Sequence, residues 1–172
     1  MILKNTYKQI LSKGEVIRLE GKLKEIITIK DEAGNTIHKI LKPLMVEFYL
    51  RDAIQVIVGS IIIAIPISFT QEVWDLGTTL PLKNILYIMA ISLILITLFI
   101  YTNYYKGKLK NHKFNFFKRV ILTYIISFIT VGFLLTLINQ APWSIDWVLA
   151  FKRTALIVLP ASMGATIADV LK

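Results

Sequence analysis

The sequence predicts an all-α membrane protein of four transmembrane helices with a small N-terminal β-hairpin element on the cytoplasmic side. Three observations carry this reading. Hydrophobic residues make up 55% of the 172 and charged residues only 18%, with a mean hydropathy of +0.63; few soluble domains show that balance. Four apolar segments, about 53–72, 84–105, 120–140 and 147–170, stand out along the chain. Each approaches the ~20 residues that a helix rising ~1.5 Å per residue needs to cross ~30 Å of hydrocarbon. Finally, the basic residues collect beside these segments: ten precede the first, and Lys106, Lys108, Lys110, Lys113, Lys118 and Arg119 crowd one link without an acid among them.

Residues 1–43 are a different material from the four-helix domain over 44–172. In "LKEIITIKDEAGNTIHKILKPL" β-branched residues flank "DEAGN", whose Gly34 suits the positive φ of a short hairpin loop. Strands are expected near 24–30 and 36–41, with a third at 15–20, where Ile17 and Leu19 alternate with Arg18 and Glu20. Pro43 closes the second of the paired strands. Two or three strands are marginal alone, so this element is expected to pack across subunits or on the inner membrane face, in a structural or assembly role before a ligand-sensing one.

Orientation follows from the lysines and arginines, which resist translocation when they lie in short flanks. The N-terminal region and the 106–119 link are therefore placed in the cytoplasm, and both chain termini with them. The opening "MILKNTYKQILSKG" lacks a leader-like apolar stretch, in keeping with a start that stays inside. The links around 73–83 and 141–146 face outward, which makes this a multi-pass protein of the cell membrane. Trp74, Trp143 and Trp147 then mark the outer ends of spans, and Tyr49, Tyr101, Tyr104 and Tyr105 the inner ends, where amphipathic rings collect. The net charge of +9 is explained by topology and by anionic lipid headgroups at the cytoplasmic face, not by nucleic acid.

Within the spans, small and polar residues recur on helical faces. The first carries Ser60, Ala64 and Ser68 at spacing four, leading to Glu72, with Pro66 as a kink. The third carries Thr123, Ser127, Thr130, Gly132 and Thr136. In "LPASMGATIADV" of the fourth, Ala161 with Ala165 and Gly164 with Ala168 form small-xxx-small pairs that admit close helix contact. The second span is the most uniformly apolar and is expected to face lipid. The stripes read either as ordinary helix packing or as the lining of an aqueous path.

Charges inside a bilayer are costly, so each needs a reason. Lys152 and Arg153 lie shortly inside the start of the fourth span, while Glu72 and Asp75 follow the end of the first. Placed there, all four oppose their own helix dipoles, and an outer cluster pairing Glu72 or Asp75 with Lys152 or Arg153 would relieve them. Asp52 begins the first span, where the dipole favours it. Asp169 ends the fourth, where it does not, and calls for Arg51, Lys118, Arg119 or solvent at a pore mouth.

Catalytic and metal chemistry finds no constellation. There is no cysteine, the two histidines (His38, His112) lie apart and outside the spans, and HExxH, GxSxG and phosphate-loop motifs are missing. Neither a cofactor nor enzyme activity is expected. A weak internal repeat is suggested by "QEVW" at 71–74 and "QAPW" at 140–143, each tryptophan being followed nine residues later by a lysine, Lys83 and Lys152.

The stretch "LKPLMVEFYLRDAIQVIVGSIIIAIPISFTQEVWDLGTTLP", with its "RDAIQ", "IPISFTQEVWDLG" and "LP" elements, resembles the hallmark region of an uncharacterised family of prokaryotic integral membrane proteins. The resemblance implies a small multi-span membrane fold and supplies no activity or site. From the residues themselves the expected function is an oligomeric ion channel or ion-conducting transport protein with a cation lean, formed by a homo-oligomer. Its candidate path or charge-cluster residues are Ser60, Ser68, Glu72, Asp75, Lys152, Arg153 and Asp169. The alternative is a non-conducting membrane scaffold or sensor with a cytoplasmic partner-binding hairpin domain.

Overall fold

Apolar runs bounded by Pro, Gly and charged residues become helices, and the β-branched N-terminal run becomes a sheet. The computed structural model describes residues 10–11, 15–19, 22–30, 36–43, 47–107 and 109–171. The chain divides into two compact units, the first through Glu47 and the second from Phe48 onward.

In the first unit, strands β1 (Ile10–Leu11), β2 (Glu15–Leu19), β3 (Lys22–Lys30) and β4 (Thr36–Pro43) form an antiparallel sheet. β3 is the central strand. It pairs with β4 through the register Ile26↔Leu41 and Ile27↔Ile40, with β2 through Glu15↔Ile26 to Leu19↔Lys22, and with β1 through Ile10↔Lys30. The expected hairpin is present and has grown to four strands, and β4 ends at Pro43 as its missing N–H requires. The "DEAGN" turn with Gly34 lies outside the described residues. Arg18 and Glu47 form an ion pair within this unit.

The second unit holds α1 (Leu50–Ser68), α2 (Gln71–Thr79), α3 (Leu82–Ile100), α4 (Lys113–Leu137) and α5 (Trp147–Val170). A π-helical turn, Tyr101–Tyr105, continues α3. Among the described residues four helices are long and apolar enough to cross a membrane: α1, α3 with its π turn, α4 and α5. Two boundaries differ from expectation by four residues or more. The first span stops at Ser68, where the Thr70 hydroxyl and N–H both return to the Ile67 carbonyl, and the chain restarts as α2. The third span starts at Lys113, because the aromatic residues of Lys113–Arg119 extend the helix ahead of its purely apolar part.

α5 is the central helix and packs against α1, α2, α3 and α4. Its small residues Ala150, Ala155, Ala161 and Ala165 are buried, and where it crosses α1 the backbones come close. A Cβ added at Gly59 would sit 2.6 Å from the Gly164 carbonyl oxygen and 2.9 Å from Ala165 Cα, so only glycine fits there. Serines bridge the remaining seams: Ser60 donates to Ser127 at 2.9 Å between α1 and α4, and Ser92 meets Ser162 at 3.1 Å between α3 and α5. Opposite faces carry exposed Ile62, Ile94, Ile129 and Phe133. α3 is the least buried span, 22% against 44% for α5.

Candidate functional site

Three charged side chains lie buried at one end of the helical unit. Asp52 sits in the first turn of α1, Arg119 in the second turn of α4, and Asp169 in the last turn of α5; they are 1%, 0% and 1% exposed. One guanidinium serves both carboxylates: Arg119 Nη2 donates to Asp52 Oδ2 at 3.0 Å, and Nη1 donates to Asp169 Oδ2. Burying such charges is costly unless they are paired and hydrogen-bonded, and here the pairing ties three helix ends together.

Local structure places each member. Asp52 Oδ2 also accepts the Tyr49 backbone N–H at 3.1 Å, so the carboxylate caps α1 while it holds the arginine. Asp169 stands at a C-terminus, where the helix dipole opposes a negative charge and the guanidinium offsets it. The Arg119 guanidinium carbon lies 4.1 Å from the Tyr104 ring centre and 5.5 Å from that of Phe48, within range of cation–π attraction. The Tyr104 hydroxyl donates to the Asp169 carbonyl at 2.8 Å, satisfying one of the acceptors that α5 leaves open at its end.

The π turn makes this possible. A looser turn over Tyr101–Tyr105 rotates successive side chains by less than an α-helix does, and π turns recur at functional sites. Tyr104 lies over the guanidinium, and the fully buried Tyr105 brings its hydroxyl within hydrogen-bonding reach of Arg119. Its ring meets Phe116 edge-on at 5.2 Å. Tyr101 stays at the surface, 36% exposed, as an interface residue would. Tyr104 and Tyr105, expected as interface anchors, have instead become part of the interior.

The residues singled out from sequence separate into three groups. Asp169 finds Arg119, one of the three cations named for it, and Asp52, assigned no role beyond its dipole, turns out to be the third member. Ser60 is spent on its bond to Ser127. Ser68 is fully buried with its hydroxyl unbonded and its carbonyl accepting Trp74 Nε1 at 2.9 Å.

The outer charge cluster does not form: among the described residues no ion pair links Glu72 or Asp75 to Lys152 or Arg153. The reason is the break after Ser68. Glu72 falls in the first turn of the new helix α2, where the dipole favours a carboxylate, and both Glu72 and Asp75 are exposed. Arg153 turns to Gln140 instead, donating to its backbone carbonyl at 2.9 Å and to Oε1 at 3.0 Å. Gln140 is offered by a well-formed helix end: Asn139 at φ 57° closes α4, with Asn139 N–H returning to Thr136 and Gln140 N–H to Leu135. The arginine stem crosses Gly77 of α2, where an added Cβ would meet its Cγ at 2.5 Å. Lys152 is half-buried beside it. The two Gln-x-x-Trp landmarks are not equivalent either, since Gln71 opens a helix and Gln140 follows one.

These features define an integral membrane protein of four candidate spans preceded by a small antiparallel sheet. More narrowly, residues 21–171 match the family described as "Putative integral membrane protein (DUF2391)", and the chain belongs to that family. No curated protein and no solved structure gives a match.

Proposed function

We propose that this is a non-conducting membrane sensor or scaffold, in which the sheet unit takes a partner and the Asp52–Arg119–Asp169 cluster passes the effect to the ends of the spans. One observation carries the reading. The first residues after the sheet unit are those that hold Arg119: the Phe48 ring, the Tyr49 N–H through Asp52, and Asp52 itself. A pull on the connecting backbone therefore bears on the cluster, and a contiguous network of this kind can carry coupling between two sites. The partner face is argued from β4, which among the described residues pairs with β3 alone. Its Ile40 and Leu41 are 44% and 52% exposed, so an added strand from a partner or second copy has an edge to join.

The positive-inside pattern supports a cytoplasmic sheet and cytoplasmic termini in the cell membrane. On this reading the polar stripes are packing devices: Ser60 and Ser92 spend their hydroxyls on neighbouring helices, and Thr130, Thr136 and Thr154 bond back to their own helices.

The competing reading is an oligomeric conductor of small cations. It draws on the buried, unbonded Ser68 hydroxyl at the end of α1, across the helix break from exposed Glu72. Purified protein in liposomes decides between them. The sensor reading expects K⁺ and Cl⁻ fluxes no greater than those of protein-free vesicles across pH and voltage; flux altered by substitution at Ser68 or Glu72 would establish the conductor.

A further inference from the structure

Two apolar grooves run along either side of α3 toward the same end. One, of about 280 Å³, lies between Leu95, Phe99 and Thr102 of α3 and Met163, Thr166 and Ile167 of α5. The other, of about 400 Å³, lies between Ile94, Thr97 and Tyr101 of α3 and Phe116 of α4. Leu98 lines both, so they are parallel channels on the two flanks of one ridge. Their linings span eight and nine positions of α3 and its π turn, on the order of 12 Å at helical rise. Both open on the face of the least buried span, where hydrocarbon is the surrounding medium.

Charge marks where they lead. Thr102 and Tyr101 are followed within five residues by exposed Lys106, and Phe116 lies on the same face of α4 as Lys113, three positions before it. From 106 to 119 the sequence carries six cations and no acid. Arg119 is already engaged by Asp52 and Asp169, which leaves the lysines to face a ligand. Paired apolar channels ending at a cationic rim fit one molecule class: a diacyl phospholipid with an anionic headgroup. We propose that α3 is straddled by the two acyl chains of such a lipid, with its phosphate against Lys106, Lys110 and Lys113. This surface is built from residues of the second unit alone and does not depend on the sensor reading.

Native mass spectrometry of the full chain, mixed with equal amounts of phosphatidylglycerol and phosphatidylcholine, tests it. The wild type should retain phosphatidylglycerol preferentially, and diacyl over single-chain phosphatidylglycerol. Exchanging Lys106, Lys110 and Lys113 for Gln should lower headgroup selectivity by roughly fivefold per lysine, the weight of ~1 kcal/mol that a lysine carries near an anionic surface. Met163→Trp, at a position 38% exposed where the fold tolerates bulk, should fill the first groove and reduce retention with every lysine in place. Equal retention of the two lipids by the wild type would overturn the proposal. So would unchanged retention in Met163→Trp, which would reduce the lysines to a general electrostatic surface, or equal retention of one-chain and two-chain lipid.

Discussion

At the scale of single residues, Arg119 matters most, because one guanidinium satisfies two buried carboxylates. Arg119→Gln is expected to destabilise the folded protein by about 3–5 kcal/mol, the usual consequence of leaving buried charge uncompensated. Adding Asp169→Asn should restore part of that loss, since contacting charges are not additive. Thermal unfolding in detergent measures both, and strict additivity would show that the contacts do not couple. At the other end the expectation reverses: Glu72→Lys should cost only a few tenths of a kcal/mol, the weight of an exposed helix-terminal charge, with no coupling to Arg153→Glu. The cluster was partly legible in the sequence. Asp169 stood at a helix end that disfavours it, and Arg119 was among three cations named for it. Asp52 is concealed because the stripe Ser60–Ala64–Ser68 leads forward by sequence to Glu72, whereas the same spacing of four run backward reaches Val56 and Asp52, both of them buried. Likewise Ser127 and Thr123 lead back to Arg119 and pass over Lys118.

At the scale of elements, the α1–α5 crossing sets how closely the spans approach. Gly59→Ala and Gly164→Ala should each destabilise by roughly 1–3 kcal/mol, because the new methyl meets backbone that cannot move aside. Gly107 has a positive φ but open space around it, so Gly107→Asn, a residue that tolerates that conformation, should change stability little. The same unfolding assay compares the three; equal losses would place the sensitivity in the backbone and not in the crossing. Helix existence was readable from apolar length alone, and the hairpin from β-branched runs around a turn. The break after Ser68 was not, because "FTQEVWDLG" carries no Gly or Pro at the break itself, and Thr70 makes the stop with a local bond to Ile67. That single misplacement of Glu72 in its helix produced the expectation of an outer ion pair. The π turn, too, left no mark in "YTNYY" beyond its tyrosines.

At the scale of the whole molecule, orientation and coupling each lead to a direct measurement. Single cysteines at Thr78 and Ser144, both exposed, should react with an impermeant thiol reagent added to intact cells, and one at Asn111 should not; labelling of position 111 alone would invert the topology. The coupling of the sheet unit to the spans is tested most directly by hydrogen exchange of the full chain in lipid nanodiscs. Thr28→Pro, in the central strand β3 opposite Lys39 of β4, where proline disfavours strand pairing, should speed exchange in the first turns of α1 and the last turn of α5. In an Arg119→Gln background the same substitution should leave those turns unchanged from the Arg119→Gln parent. Exchange at α1 and α5 that ignores Thr28→Pro when Arg119 is present, or that responds equally when Arg119 is absent, would contradict transmission through the cluster.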